Sequence, residues 1–282
     1  MTITVYITSY NQEAFLKDAI DSVLSQELAA DEIIIIDDCS TDGSKELIKD
    51  YASRHKQIRF HLNEKNLGVA QSRIKALSMV KSDYVTYVDG DDVYLPNKLK
   101  VEANLIKNTG CDLVFSNNMY VSENDLSEEK WTWLEEELVV GKETNWFLKV
   151  LTRDFPRNSL FRMELVKYSL LKEIGFHDPN LPIYEDYDLR IRLAAKAKIA
   201  FSSEVTAKIR ISTEGLSKSN YKEHISSLKY IYKKYQPQLS EFGRETKVEV
   251  NNRLDAILTS IKRKHQVNFT SKLRNKLFRK LK

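Results

Sequence analysis

Tyr84-Val-Thr-Tyr-Val-Asp-Gly-Asp-Asp92 is the stretch that decides how this chain folds. Its first five residues are β-branched or aromatic, which is typical of a buried strand. Three carboxylates, Asp89, Asp91 and Asp92, follow directly at the end of that strand. Like charges this close repel, so the cluster lowers stability unless a positive charge lies beside it. The stretch therefore predicts a strand whose end lies next to a cation or a basic group.

The residues around this stretch alternate between strand-like and helix-like hydrophobic periods. The predicted strands cover residues 3–7, 32–37, 58–61, 84–88 and 113–115. Asn11 is expected to cap the first helix, residues 69–80 form another, and Pro96 suits the first turn of the next. Strands that alternate with helices at this spacing predict an α/β fold with a mostly parallel sheet flanked by helices.

The second half of the chain has a weaker pattern. Between 121 and 150 no period is clear, and Trp131 and Trp133 either anchor a solvated helix or loop or form the wall of a second binding site. Further on, the pattern predicts a strand at 159–161, helices at 164–174 and 186–197, and helical structure over 221–265.

Charge is unevenly distributed along the chain, whose net charge is +4. Nine Lys and Arg lie between Lys262 and Lys282, and no acid follows Asp255. A mildly acidic body with a basic tail does not indicate nucleic-acid binding. With only Cys39 and Cys111, no disulfide framework is expected, which fits a reducing cytoplasm. We expect neither a membrane span nor a secretory signal, because the sequence contains no long apolar run and no basic region before the first strand.

Polar residues follow four successive predicted strands. These groups are Thr8–Asn11, Asp37–Asp42, Asn63–Gly68 and Asp89–Asp92. Ligands of open α/β sheets bind outside the carboxyl ends of the strands, so we expect one cleft lined by all four groups.

Each group has a functional and a structural interpretation. Asp89-Gly-Asp-Asp92 suits Mn²⁺ or Mg²⁺, which prefer oxygen ligands, but it could also be a solvated turn. Gly90 would leave room for close approach of the backbone to a ligand. Asp37 and Asp38 could cap the second helix or bind a nucleotide base or ribose. Arg73 could pair with a surface Asp or face a phosphate or base.

The chain resembles the inverting family-2 glycosyltransferases, which have the GT-A fold, a Rossmann-like nucleotide-binding architecture. The matching pieces are Thr8–Asn11, Asp37–Ser44, Asn66–Arg73, Asp89–Asp92 and Tyr184–Leu193. The resemblance covers about residues 1–215, and five pieces in the right order make it specific to the family, although not to a substrate.

On the donor side, the resemblance implies nucleotide-sugar binding. Thr8 and Tyr10, with Asn11, would cradle the nucleotide. Asp38 would hold the base, usually uracil, and Arg73 would contact the base or phosphate.

At the reaction centre, the resemblance implies that Asp89 and Gly90 lie near the ribose and the metal, and that Asp91, with Asp89, coordinates Mn²⁺ or Mg²⁺. Asp186 would be the catalytic base that deprotonates the acceptor. Alternatively, Glu185-Asp186 could simply favour the dipole of the following helix.

Two further features concern the acceptor and the third metal ligand. Glu185 and Trp146 are candidates for the acceptor side. Many family members have a His after the last strand of the catalytic domain, where this chain has Ser212, and Arg210 or Lys218 could neutralise the diphosphate instead.

The resemblance also implies a domain plan. We expect a catalytic domain at 1–218, with a nucleotide-sugar half at 1–118 and an acceptor half at 119–218, followed by a helical region at 219–282. Leu273, Leu277, Phe278 and Leu281 share one face of the tail and cations cover the other. This composition predicts a helix on the anionic inner face of the plasma membrane, although a solvated or self-docked helix is the alternative.

The expected function is metal-dependent, inverting transfer of a sugar from a nucleotide donor, expected to be UDP-linked, to a glycan or lipid-linked oligosaccharide in surface polysaccharide synthesis. A nucleotidyltransferase or phosphoesterase could use the same carboxylates, but Asp186 would then have no obvious task. A non-catalytic nucleotide-sugar-binding module is the other alternative. No Gly-x-Gly-x-x-Gly follows the first strand, which disfavours a dinucleotide oxidoreductase.

Overall fold

The computed structural model describes residues 1–135, 138, 144–212 and 221–278, with side chains described as far as Arg263. The chain forms two compact units. The first comprises residues 1–180 and 185–213, and the second comprises residues 181–184 and 214–282.

One sheet organises the first unit. Its strands are β1 (Ile3–Ser9), β2 (Glu32–Asp37), β3 (Ile58–Leu62), β4 (Tyr84–Asp89), β5 (Val93–Tyr94), β6 (Leu113–Ser122), β7 (Glu129–Thr132), β8 (Leu165–Lys167) and β9 (Ile199–Ile211). Their spatial order is β3-β2-β1-β4-β8-β6-β9-β5, and β7 pairs with β6.

Helices connect these strands and form the second unit. Those of the first unit are α1 (Glu13–Leu24), α2 (Ser44–Arg54), α3 (Val69–Met79), α4 (Lys98–Thr109), α5 (Trp146–Leu151), α6 (Tyr168–Ile174) and α7 (Glu185–Ala194). The second unit contains α8 (Tyr221–Leu239) and α9 (Arg244–Phe278). The predicted α/β fold is confirmed.

The first four strands are parallel, and this brings the polar strand ends together. β1 lies between β2 and β4, with Ser9 opposite Asp37 and Thr8 opposite Asp89. The apolar run of β2 is buried on both faces, as expected for a strand inside a parallel sheet. β3 is parallel to β2, with Leu62 opposite Asp37, so all four predicted polar groups begin at one edge of the sheet.

The other half of the sheet is mixed. β8 pairs antiparallel with both β4 and β6, and so joins the two halves. β6 runs parallel to β9 and antiparallel to β7. The expectation of a mostly parallel sheet thus holds for β1–β4, whereas the rest of the sheet is mixed, since β5 also pairs antiparallel with β9.

Two predicted helix starts are wrong, and of the two interpretations left open for Asp37 and Asp38, helix capping is not realised. The residue before α1 is Gln12, and the Asn11 side chain accepts a hydrogen bond from the backbone N–H of Thr41 (2.8 Å) instead of capping the helix. Neither Asp37 nor Asp38 caps α2; Asp42 accepts a hydrogen bond from the N–H of Ser44 at the start of that helix (3.1 Å). Residue 96 precedes α4, which begins two residues later.

The predictions for 159–174 are also wrong in detail. Residues 159–161 are not a strand, because Phe161 packs into an aromatic cluster rather than pairing with a neighbouring strand. Residues 165–167 form β8, so the predicted helix begins at Tyr168. Trp131 ends up in β7 and Trp133 is fully buried, which makes the latter a core residue.

The aromatic cluster surrounds Phe115 of β6. Phe161 stacks on its ring at 4.2 Å between centroids, and the rings of Trp133, Phe155 and Trp146 pack edge-on to it. Offset and edge-on ring pairs contribute about 0.5–1.5 kcal/mol each beyond the burial of their surface. The cluster thereby fixes the segment that leads into β8.

The helical prediction for 221–265 is realised as two helices, α8 and α9. No helix in the described part of the chain is long and apolar enough to cross a membrane. The predicted amphipathic face of the tail lies outside the residues whose side chains are described. Residues 279–282 lie outside the described residues entirely.

Candidate active site

An acidic elbow lies at the end of β4. The N–H of Gly90 donates to the carbonyl of Thr8 (3.1 Å), and the N–H of Asp92 donates to the carbonyl of Asp89 (3.0 Å). A Cβ at Gly90 would lie 2.4 Å from Oε1 of Gln12. The flexible Gln12 side chain could move away from such an atom, but the backbone carbonyl oxygen of Thr8, 3.1 Å from it, favours a small residue at this turn.

Two arginines neutralise Asp89. Nη2 of Arg73 donates to Oδ1 (2.7 Å) and Nη2 of Arg162 donates to Oδ2 (3.2 Å). Burial alone would raise the pKa of Asp89, but these two guanidinium groups outweigh it and lower the pKa. The sequence predicted a positive charge beside the acidic cluster, and Arg73 and Arg162 supply part of it.

Arg73 connects the elbow to the start of α7. Its Nη1 donates to Oε1 of Glu185 (2.9 Å), and its side chain is only 6% exposed. The guanidinium also lies over the ring of Tyr87, 4.8 Å from the centroid. Arg73 therefore forms a buried bridge between two carboxylates.

The other two acids of the elbow are held differently. Burial, followed by the charge of Asp89, raises the pKa of Asp91, and no described side chain donates to its carboxylate. Asp92 is buried and accepts a hydrogen bond from the N–H of Arg210 (2.9 Å). The Arg210 guanidinium donates to the carbonyl of Asp91 and to the Asp18 carboxylate (2.6 Å). Arg210 therefore supports the elbow from behind.

Asp186 is bound by an arginine of its own helix. Nη1 of Arg190 donates to Oδ2 of Asp186 (2.5 Å), and Arg190 also binds Glu164 (3.0 Å) and the hydroxyl of Tyr87 (2.7 Å). Arg190, then Arg73, lowers the pKa of Asp186 although burial opposes this. This side chain stays ionised at neutral pH.

The two neighbouring acids at the start of α7 have opposite surroundings. The side chain of Asp186 is 32% exposed, whereas that of Glu185 is 6% exposed. Burial raises the pKa of Glu185 to about 7, although Arg73 opposes the shift. A substrate can reach Asp186 from solvent, whereas Glu185 is enclosed.

The predicted nucleotide-binding residues lie at the same edge of the sheet. The Asp38 carboxylate is buried and accepts hydrogen bonds from Nδ2 of Asn63 (2.8 Å) and the N–H groups of Leu67 (2.8 Å) and Gly68 (2.7 Å). It therefore orders the loop before α3. Thr8 is buried, and Tyr10 is 48% exposed.

The remaining predicted residues lie in the second half of the sheet unit. Trp146 begins α5, packs edge-on to Phe115 and is partly exposed. Ser212 follows β9 and is partly exposed, while Lys218 lies outside the described residues. Arg210, considered as a diphosphate ligand, is buried and bound to Asp18.

The elbow fits a divalent cation that takes most of its ligands from substrate and water. In the described ranges, no group of three or more His, Cys, Asp or Glu side chains is arranged to hold a metal. Mg²⁺ sites commonly use one or two carboxylates together with substrate phosphates. Asp91 suits this role because its carboxylate is not committed to another described side chain.

Sequence reasoning missed Arg162, Glu164 and Arg190. The spacing of Asp186 and Arg190, four residues apart in a predicted helix, was a readable signal for an ion pair. Arg162 and Glu164 reach the site only because the chain from the aromatic cluster into β8 passes beside β4, and no local pattern reveals that.

Comparison with known proteins gives a consistent family. The model described as Glycosyl transferase family 2 matches residues 4–169, which is more than half of the chain. An uncharacterized glycosyltransferase of Methanocaldococcus jannaschii is 30% identical over 236 residues, covering 80% of this chain and 75% of its own. TuaG of Bacillus subtilis, a putative teichuronic acid biosynthesis glycosyltransferase, is 25% identical over 222 residues, covering 78% and 83%.

Solved structures support the same fold. S. aureus TarS 1-349 in complex with UDP-GlcNAc has a TM-score of 0.64 at 19% identity, covering 82% of this chain and 65% of that one. This chain thus spans slightly less than two-thirds of TarS 1-349. A mannosyltransferase of Pyrobaculum calidifontis in complex with GDP-Man and Mn²⁺ has a TM-score of 0.59 at 12% identity, covering 92% and 72%. These likenesses confirm the GT-A-like fold expected from the sequence.

The enclosed Glu185 predicts a specific pH dependence of stability. Its pKa rises on folding from the ordinary 4.5 to about 7, so its contribution to stability is complete below pH 4.5 and is lost as the pH rises through 7. At about 1.4 kcal/mol per pKa unit, the loss is about 3 kcal/mol. We expect Glu185→Gln to remove this fall in the free energy of unfolding with rising pH, measured by urea unfolding between pH 4.5 and 8. Glu173→Gln, at an exposed carboxyl, should retain it. Equal slopes in the two variants would contradict the assignment.

Proposed function

Because the chain belongs to glycosyl transferase family 2 and is a glycosyltransferase, we propose that it transfers a sugar from a nucleoside diphosphate donor to an acceptor hydroxyl with inversion at the anomeric carbon. The donor is UDP-linked, the reaction depends on Mn²⁺ or Mg²⁺, and the acceptor is a glycan or lipid-linked oligosaccharide. The family assignment favours this reaction over the nucleotidyltransferase, phosphoesterase and binding-module alternatives.

One observation carries this proposal: Arg73 binds Asp89 of the acidic elbow with one nitrogen and Glu185, the neighbour of Asp186, with the other. The carboxylates suited to the donor's cation and the carboxylate suited to the acceptor's proton therefore belong to one connected site. A group-transfer enzyme needs these two functions within the length of one substrate.

On the donor side, we assign the nucleotide to the edge formed by the ends of β1, β2 and β4. The exposed ring of Tyr10 is suited to stack on the base, and Thr8 and Asn11 line the same edge. Asp38 contributes by ordering the 63–68 loop around the base. TarS has been solved with UDP-GlcNAc and the Pyrobaculum enzyme with GDP-Man, which supports a nucleotide-sugar donor.

At the diphosphate, Asp91 would hold the divalent cation, and Asp89, whose two oxygens are bound by Arg73 and Arg162, would lie beside it. Bound there, such a cation stabilises the negative charge of the departing diphosphate as a Lewis acid. Arg210 and Gly90 hold the elbow in the shape that presents Asp91, through the carbonyl of Asp91 and the carbonyl of Thr8.

On the acceptor side, Asp186 takes the proton of the attacking hydroxyl as the new C–O bond forms. Arg190 keeps Asp186 ionised and limits the directions in which its carboxylate can point. A single displacement from the face opposite the diphosphate inverts the anomeric carbon. Glu185 positions α7 through Arg73, and the partly exposed Trp146 is an acceptor-side candidate.

The acceptor class follows from chemistry and relatives together. A relative named for teichuronic acid biosynthesis supports a surface polysaccharide or its lipid-linked precursor. A precursor of that kind would lie at the inner face of the plasma membrane. We therefore propose that the basic tail holds this cytoplasmic enzyme there, as its composition predicts.

The metal requirement is tested by a donor screen. UDP-, GDP- and TDP-sugars are incubated with the chain and Mn²⁺, and release of nucleoside diphosphate is measured. We expect release from a UDP-sugar that stops with EDTA and returns with added Mn²⁺. Asp91→Asn should raise the Mn²⁺ concentration needed for half-maximal release by about tenfold or more, because one ligand carboxylate is lost. Full release in EDTA would disprove the proposed metal dependence.

The base assignment is tested by Asp186→Asn. Transfer should fall by at least about a hundredfold, the usual scale for loss of a general base, while donor affinity stays within about threefold. The same change at the exposed Asp50 is the matched control and should leave both quantities unchanged. Near-normal transfer by Asp186→Asn would refute the assignment.

Membrane attachment is tested by removing residues 266–282. Sedimentation with liposomes rich in anionic lipid should be strong for the full chain and lost after truncation, with weak binding of both to neutral liposomes. Unchanged binding of the truncated chain to anionic liposomes would defeat the proposal.

A further inference from the structure

Four arginines lie around the two candidate reactive carboxylates, those of Asp91 and Asp186. Three of the four are buried and bound by several protein oxygens. Arg73, Arg190 and Arg210 have side chains that are 6%, 2% and 4% exposed. Each binds at least two oxygen partners, and at least one of these is a carboxylate. Releasing Arg73 or Arg190 would leave a buried carboxyl group, that of Glu185 or Glu164, without its arginine. Releasing Arg210 would leave its buried guanidinium without the Asp18 carboxylate. These three arginines therefore serve the protein's own acids.

Arg162 differs from the other three in both respects. Its side chain is 32% exposed, and within the described part of the chain its one ion pair is the 3.2 Å contact to Asp89. Asp89 retains Arg73 at 2.7 Å if Arg162 turns away. Arg162 can thus exchange its protein partner for a ligand without leaving a carboxylate unpaired.

The backbone on either side of Arg162 is firmly held. Phe161 is fully buried and stacks on Phe115. The carbonyl of Met163 accepts hydrogen bonds from Nζ of the buried Lys98 (2.8 Å) and the hydroxyl of Thr86 (2.9 Å). Met163 itself has φ of 56°, a conformation that persists only where surrounding contacts enforce it. The segment therefore presents one partly exposed cationic side chain from a firmly held backbone.

The charges at the elbow indicate what this side chain binds. Asp91 and Asp92 lie close enough to Arg162 for their charges to interact with it, so an approaching anion would meet two further carboxylates. A diphosphate needs cationic partners to approach that surface at all. A guanidinium matches the geometry of phosphate oxygens with paired N–H donors.

We propose that Arg162 is a donor-binding residue whose guanidinium donates hydrogen bonds to the diphosphate of the nucleotide sugar. The inference rests on the proposed function and adds to it a protein cation that acts on the leaving group beside the carboxylate elbow. Arg162 contacts the substrate, whereas Arg73 keeps Asp89 in place.

The test compares UDP with uridine by titration calorimetry in the presence of Mn²⁺. Arg162→Met should raise the dissociation constant for UDP by about tenfold or more, because charge-assisted hydrogen bonds to a phosphate are lost. Uridine, which lacks phosphates, should bind the variant and the parent chain equally. Arg162→Lys retains the charge and should recover part of the UDP affinity.

Arg157→Met is the matched control, because Arg157 belongs to the same loop, is exposed and pairs with Glu135. It should leave UDP affinity unchanged. Thermal unfolding of each variant shows whether it is folded, and Arg162→Lys serves as the readout if the Met variant is not. Unchanged UDP affinity in both Arg162 variants, or an equal loss for UDP and uridine, would overturn the inference alone. If the parent chain binds none of UDP, GDP or TDP, the proposed function fails, and this inference fails with it.

Discussion

The buried guanidinium of Arg73 is the constraint on which the site depends. It pairs with Asp89 at the end of β4 and with Glu185 at the start of α7, two elements far apart in the chain. Burying one cation and two carboxylates is costly unless each finds its partner, so the arrangement is stable only when all three are in place. The relative position of the acidic elbow and α7 is thereby fixed by charge pairing as well as by packing.

The same pairing decides which carboxylates remain available for chemistry. Arginines bind Asp89, Glu185 and Asp186, and of these three only Asp186 is open to solvent. No arginine whose side chain is described binds the carboxylate of Asp91. A dense cluster of acids therefore contains one side chain suited to a cation and one suited to a proton. The arginines that surround the cluster produce this division, since their distances and burial differ.

The sheet was largely predictable because its signals are local. A strand such as β2 is marked by its own apolar run, and parallel pairing then follows from the alternation of strands and helices. The errors occurred where a side chain had a partner distant in sequence. Asn11 binds Thr41 rather than its own helix, and Phe161 joins the aromatic cluster rather than a strand. A local pattern contains no information about such partners.

The amino-acid sequence alone determined the family, the polar strand ends that meet at one edge of the sheet, and the identity of the candidate acids, because residue type and spacing record these directly. Only the tertiary structure decided that Asp38 orders a loop, that Arg73 joins two acids, and that Arg162 reaches Asp89. The reason is physical. The protonation state of a side chain and the partners it can contact depend on its burial and on charges a few ångströms away. Folding brings those charges from segments that are remote in the sequence.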